Sequence, residues 1–340
     1  MSLHFAAATL ALLAERIFGY PKPIYRQIGH PVEWIGYLLS KLEIALYDSD
    51  AEPNQARLRG VAAIAALLVI VAVPAVLISA FLSTVEFGWI IEAMLATSLI
   101  AQHSLHEHVS ATGKGLDISI AEGRKAVSMI VGRDPAQLDE SGVTKAALES
   151  LAENTSDGIV APVLWYALLG LPGIVVYKAI NTADSMIGHK SEHYIHFGWA
   201  AARLDDLVNL PASRLTGLLF AGAAAWTDRE RGKIALQAMW RDAPKHNSPN
   251  AGWPEAALAA SLGVKFGGPR SYEGSLVNLP WMGEGRETLN RDDIRKGLRL
   301  YGTAMTFLLC VGGTLRGIFL RTIGSPATMK TTSSAIPATR

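Results

Sequence analysis

The sequence predicts an all-α, polytopic integral membrane protein with re-entrant or broken helices and a polar site facing the cytoplasm. Three observations carry this. Half of the 340 residues are apolar and only 18% are charged, greasier than an ordinary soluble domain. Residues 61–82 form a run of 22 without a charge, and a bilayer core takes about 20. Acids, amides and basic residues gather in short blocks set against further apolar stretches.

Taken in order, residues 3–18 lack a basic leader, and Glu15 and Arg16 follow the apolar stretch. They read as a retained short membrane or core helix, not a cleaved signal. The run 61–82 is the strongest membrane candidate, with Pro74 tolerated inside it. Residues 87–102, which carry Glu92, read as the second arm of a helical hairpin. Arg57 and Arg59 precede this pair, and Lys114, Arg124, Lys125 and Arg133 follow it, which places both flanks in the cytoplasm.

Residues 158–177 are long enough to span, but "GLPG" at 170–173 breaks them. The segment 211–226 contains a shorter apolar run, with Arg214 just before it. Crossing by only one of these two would put the basic stretch 229–245 outside, so both cross or neither does. Residues 301–320 are a last candidate, weakened by Arg316 and glycines and preceded by the basic "RDDIRKGLR". Residues 1–320 read as a single domain and 321–340, without apolar period, as a disordered tail.

A net charge of +1 argues against nucleic-acid binding. The single cysteine, Cys310, excludes disulfides within the chain and cysteine metal sites, and reads as a small buried hydrophobe. No G-x-x-x-x-G-K-[ST] occurs, so any ATP site is of another type.

Four polar blocks stand out. In "KAALESLAENTSDG", Lys145, Glu149, Glu153 and Asp157 recur every fourth residue, which holds them within one broad helical face. A solvated face is the ordinary account of such a pattern. Yet like-charged neighbours at this spacing cost a few tenths of a kcal/mol each, a repulsion that a divalent cation would remove. In "YKAINTADSMIGHKSEHY", Lys178, Asn181, Asp184 and Ser185 recur at helical spacing, and Gly188 can end the helix. His189, His193 and His196 lack a HExxH-type arrangement and read as surface histidines.

In "FGWAAARLDDLVNLPASRLTG", Arg203, Asp205, Asp206, Asn209 and Arg214 mix both signs. They suit either an internal ion network or a Mg–phosphate site. In "RDAPKHNSPNAGWPEAALAASLGVKFGGP", the Pro/Asn/Ser-rich first half is a structured loop bearing Lys245, His246, Ser248 and Asn250, and "GVKFGGP" reads as a turn. Asp157–Ala161 begins like the D-G-x-x-A-R signature of CDP-alcohol phosphotransferases, but Pro162 replaces the arginine and the later paired aspartates are missing.

Together these blocks resemble the CobD/CbiB family, the membrane-bound adenosylcobinamide-phosphate synthases of cobalamin biosynthesis. The matching stretches are "GRDPAQLDESGVTKAALESLAENTSDGIVAPVLWYALLGLPG", "YKAINTADSMIGHKSEHYIHFGWAAARLDDLVNLPASRLT" and "DAPKHNSPNAGWPEAALAASLGVKFGGP". They run in family order, and the resemblance covers residues 19–268. Near the N-terminus His30 and Pro31 match, whereas Tyr20 stands where the family pattern has aspartate.

The resemblance implies an ATP-dependent ligase of the bacterial inner membrane. It would join adenosylcobyric acid, a cobalt corrin, by an amide bond to (R)-1-amino-2-propanol phosphate or a related amino alcohol. Mg²⁺ and ATP are the implied cofactors, with membrane lipid and other cobalamin-pathway enzymes as implied partners. The residues expected to act as acid, base or nucleophile-activating groups are Glu149, Glu153, Asp157, Asp184 and His246. Those expected to hold Mg²⁺ are Glu153, Asp157, Asp184, Asp205 and Asp206. Those expected to bind ATP and phosphate are Asn154, Lys178, Asn181, Lys190, Arg203, Arg214, Lys245 and Asn250. Because ATP is cytoplasmic, the blocks should share one pocket, which favours neither middle segment crossing and makes "GLPG" the turn of a re-entrant or interior pair. The rival from another class is a transporter of a corrinoid or other amphipathic substrate, which also needs broken helices beside polar residues. The sequence shows no internal repeat of the kind such a fold implies.

Overall fold

The computed structural model describes residues 2–132, 134–272 and 275–323. Thirteen α-helices are present among the described residues, with one antiparallel strand pair. In order they are α1 (Ser2–Phe18), α2 (Lys22–Ile28), α3 (Pro31–Leu46), α4 (Pro53–Ser83), α5 (Gly88–Thr97), α6 (Gln102–Ile118), α7 (Ile120–Val127) and α8 (Glu140–Thr155). There follow α9 (Ala161–Ile187), α10 (Trp199–Thr227), α11 (Arg229–Asp242), α12 (Gly252–Leu262), β1 (Lys265–Tyr272), β2 (Ser275–Gly283) and α13 (Arg291–Ile323).

The larger core draws on α1, α5, α6, α8, α9, α10, α12 and α13, and alanines such as Ala147, Ala152, Ala257 and Ala259 let these helices approach closely. A smaller core packs Ile35 and Leu39 of α3 and Ile64 and Leu67 of α4 against Ala183 and Ile187 of α9 and Ala201 of α10. Helix α4 is long and apolar enough to cross a membrane, and only 22% of its most apolar window is buried. Val69, Val73, Val76, Leu77 and Phe81 face outward from it.

The apolar segment 158–177 folds back on itself. Gly170 takes φ 67° and ψ −158°, a conformation that costs glycine little, and Pro172 follows at the start of the returning arm. A Cβ on Gly173 would run into the Trp165 carbonyl, so the two arms touch just beyond the turn. The turn exposes a helix-start amide, Leu171 N–H, which donates to the Glu92 carboxylate at 2.9 Å, and Ser79 donates to the other oxygen of that carboxylate at 3.1 Å. This explains a charge in an otherwise apolar run: Glu92 caps the returning arm from a neighbouring helix.

The next apolar segment also returns. Asp228 accepts the backbone N–H groups of Glu230 and Arg231 and starts α11 directly after α10. Gly217 of α10 then lies against Met239 of α11 and the Trp253 carbonyl of α12, a closeness that leaves no room for a Cβ. The first middle segment thus closes as a hairpin of its own, whereas the second is an unbroken part of α10 whose return is made by α11.

Four expectations need correction or refinement. The all-α fold gains one strand pair, because "GVKFGGP" is not a free turn: Gly267 and Gly268 adopt positive φ beside a register shift and enter β1. The segment 87–102 holds a helix of ten residues, about 15 Å long, followed by a turn into α6. Cys310 is exposed, not buried, because it lies on the outward side of α13. The expected tail begins within α13, and residues 324–340 lie outside the described residues. Gly188 closes α9 and His189 and His193 are exposed, as the sequence suggests, whereas His196 is half-buried with its Nδ1 covered.

Candidate functional site

Of the first block's acids, Glu149 and Glu153 stand on the last two turns of α8 and Asp157 just beyond it. A π-helical segment, Ser156–Val160, joins α8 to α9 there, an irregularity frequent at functional sites. One carboxylate oxygen of Glu149 accepts the Gly267 N–H at 2.9 Å, tying the strand pair to α8. Lys145 reaches the Gly267 carbonyl at 3.3 Å and lies over the Trp281 ring. Glu153 is exposed, as is Asn154 beside it, and no hydrogen bond to Glu153 is formed among the described residues. Asn154 donates to the Ser150 carbonyl and hydroxyl, at 2.9 and 3.0 Å. Glu149, Glu153, Asn154, His246 and Glu255 share a cleft of about 310 Å³.

Behind the cleft lies a buried polar network. The Tyr177 hydroxyl is 2.9 Å from the Asp157 carbonyl and 2.8 Å from the Asn209 side-chain oxygen. Asn209 donates to one oxygen of Asp205 at 2.9 Å, and Asn181 donates to the other at 3.3 Å. Lys178, itself buried, donates to Asn181. Burial, followed by the Asp184 charge, pushes the Asp205 carboxyl up to about 6, although both asparagines pull the other way. Lys178 and Asn181 thus sit inside the network rather than on a cavity wall.

On the far side of His246 opens a cavity of about 790 Å³. Arg57, His189, Lys190, Arg203, Arg214 and His246 line it, with Asp206 as its carboxylate. The Arg214 guanidinium donates to Leu210, Ser213 and Asn250 at 3.0–3.1 Å and lies over the Trp253 ring at 4.5 Å. Asn250 donates in turn to the Asp206 carbonyl at 2.8 Å, so the loop before α12 is locked onto α10. Lys245 turns away and donates to Asp242 at 2.7 Å. Asp242 also accepts from Nε and one terminal nitrogen of the Arg241 guanidinium and from Gly283 N–H, anchoring the strand pair. Burial alone would raise its carboxyl, but Arg241 and Lys245 hold it below the usual aspartate range.

The structure thus brings Glu149, Glu153, Asn154 and His246 to one cleft, and Lys190, Arg203, Arg214 and Asp206 to the adjoining cavity. Asp184 stands beside that cavity, its carboxylate against Gly188 on the wall. Asp157, Lys178, Asn181, Asp205 and Asn250 are support for the two. Among the described residues, no three His, Cys, Asp or Glu side chains converge as a metal cage. That donor set still fits Mg²⁺, which binds through one or two carboxylates and keeps its other positions for water and substrate phosphate. Asp206 and Asp184 meet this condition at the basic cavity, whereas Asp205 has both oxygens engaged.

Two lining residues escaped the sequence reading. Glu255 is an acid with 7% exposure in the otherwise uncharged helix α12, and that isolation was its signal. Arg57 looked like a topological flank at the start of α4 and gave no signal of a site.

A protein-family model described as "CobD/Cbib protein" matches residues 8–301. The chain is 47% identical over 313 residues to a Rhodobacter capsulatus protein named cobalamin biosynthesis protein CobD, covering 92% of this chain and 97% of that one. Proteins of the same name from Sinorhizobium fredii and Brucella suis are 45% and 44% identical, covering 92% and 94% of this chain and 96% and 100% of theirs. No solved structure matches. With a family match across nearly all of the helical domain, including every residue of the cleft and the basic cavity, the chain belongs to the CobD/CbiB family.

Proposed function

We propose that this protein is the ATP-dependent ligase that makes adenosylcobinamide phosphate in cobalamin biosynthesis, working at the cytoplasmic face of a bacterial inner membrane. One observation carries the reading: a cation-lined cavity and a carboxylate-lined cleft open to either side of one histidine, His246. A ligase that joins an acid to an amine with ATP needs both surfaces within reach of each other.

The carboxylate of adenosylcobyric acid is a poor acyl group until activated. Its oxygen attacks the γ-phosphorus of ATP, forming an acyl phosphate and releasing ADP. The amino group of aminopropanol phosphate, once it has lost a proton, attacks the acyl carbon. The C–O bond breaks, the amide forms and inorganic phosphate leaves. Phosphoryl transfer is mainly positioning and charge neutralisation. Lys190, Arg203, Arg214 and Arg57 supply positive charge where a triphosphate and a second phosphate ester would lie. Trp199, Tyr194 and Trp253 in the same wall offer faces for a nucleobase. Mg²⁺ held near Asp206 and Asp184 would neutralise phosphate charge. Glu153, the carboxylate without a hydrogen-bond donor among the described residues, suits removal of the ammonium proton.

The test is direct. Detergent-purified protein is incubated with Mg-ATP, adenosylcobyric acid and aminopropanol phosphate, and the amide product is sought by mass. Formation of that product with ADP supports the ligase. Corrinoid bound but unchanged would support the transporter reading and end this one.

A further inference from the structure

We propose that a groove beside the acid cleft, between α6 and the loop 128–132, seats the corrin ring of the substrate, with the His108 imidazole as axial ligand to its cobalt. This rests on the ligase reading given above and names where its largest substrate binds.

The groove is a cavity of about 410 Å³ that runs into the acid cleft, since Val131, Gly132 and Asn154 line both. Its floor is closed where Ala101 N–H donates to the Gly158 carbonyl at 3.0 Å, joining the start of α6 to the π-helical segment. One wall is fixed to α8, because Ser150 donates its hydroxyl to the Ile130 carbonyl at 2.7 Å. Ser104 and His108, one turn apart on α6, stand in the other.

Charge sorts the substrates between the two openings. The cavity beyond His246 carries the cations that phosphates need. Among the described residues no Lys or Arg lines the groove, whereas Leu105, Met129 and Ile130 do. A wall that is apolar with a few polar groups suits an amidated corrin, whose rim carries methyl groups and neutral amides. Asn154 stands at the junction with its amide nitrogen spent on Ser150, which leaves its oxygen to accept an N–H from one of those amides. A ring seated in the groove sends its free carboxyl past Asn154 into the cleft that holds Glu153.

His108 supplies the specific contact. It is exposed, and its ring makes no hydrogen bond or ion pair among the described residues. Imidazole is the commonest side-chain ligand of metals. In adenosylcobyric acid the adenosyl group holds one axial position of the cobalt and water holds the other. A His108 nitrogen displaces that water, the oxidation state is unchanged, and the adenosyl group points away from the His108 wall.

Titration of detergent-purified full chain with adenosylcobyric acid, without ATP or amine, reads this binding apart from turnover. The visible band of the bound corrinoid should move to longer wavelength, as free imidazole makes it do, and His108→Ala should lose that shift. The cobalt(II) form of cobyric acid bound to ¹⁵N-histidine-labelled chain should show doublet nitrogen splitting in its EPR spectrum, in place of the triplets given by ¹⁴N. Ser104→Trp and Met129→Trp fill the groove from opposite walls and lie outside the acid cleft. Each should keep the wild-type Tm and ATP affinity while raising the corrinoid Kd about tenfold or more. A wild type that shows no shift would overturn the proposal, as would a shift that survives in His108→Ala or a corrinoid affinity unchanged by both tryptophans. A wild type that shows the shift but forms no amide product would overturn the ligase reading alone.

Discussion

Tyr177 donates its hydroxyl to the Asp157 carbonyl at 2.9 Å, across 20 residues of chain. A continuous helix of that length would hold the two about 30 Å apart. The apolar segment between them is therefore a closed hairpin, and its two ends belong to one side of any membrane that holds it.

This placement predicts the location of the loop after α9. With Cys310→Ser removing the chain's only cysteine, Ser191→Cys should react with a membrane-impermeant maleimide in inverted vesicles and stay unlabelled in intact cells. Ser191 is exposed next to Lys190 of the basic cavity, so labelling from the periplasmic side would refute a cytoplasmic site.

The turn itself depends on Glu92. Glu92→Ala leaves Leu171 N–H buried without its acceptor, a loss of about 1–3 kcal/mol. Glu92→Gln keeps an oxygen in reach and should recover most of this. Thermal unfolding in detergent measures both, and equal Tm values for the two variants would show that the cap contributes nothing.

Glu153→Gln should leave Tm near wild type, since no hydrogen bond to this side chain is formed among the described residues. Ligation should fall by about 10²–10⁴-fold, the range for a general base. Turnover at the wild-type rate would remove Glu153 from the chemistry.

Asp205 gives the pH dependence. Its carboxyl is raised from 3.8 to about 6 in the folded state. A raised carboxyl contributes stability that is full below its unfolded value and disappears as pH climbs through the folded one. Ligand-free protein should lose about 1 kcal/mol from this group between pH 5 and 7.5. Asp205→Asn should narrow the Tm gap between those two pH values. An unchanged gap would assign the pH dependence elsewhere.

Local chemistry made much of the molecule legible in the sequence. An uncharged run of 22 residues can only be a membrane-length or deeply buried helix, and it is α4. The glycines and proline of "GLPG" crowd both helix-breaking residue types into four residues, and Gly170 marks the turn. The polar blocks stood out because acids beside apolar segments need a reason. The tertiary fold alone decided what each of their members touches. Lys178 and Lys245 look like phosphate ligands in the sequence, yet one is buried with Asn181 and the other is paired with Asp242. Glu92 and Leu171, 79 residues apart, meet as cap and helix start, and Glu255 faces His246 across the loop that separates them. Periodicity reports which face of an element a residue occupies. Which other face it meets is set by two successive helical hairpins whose closure brings distant blocks to one cleft, and no local pattern encodes that closure.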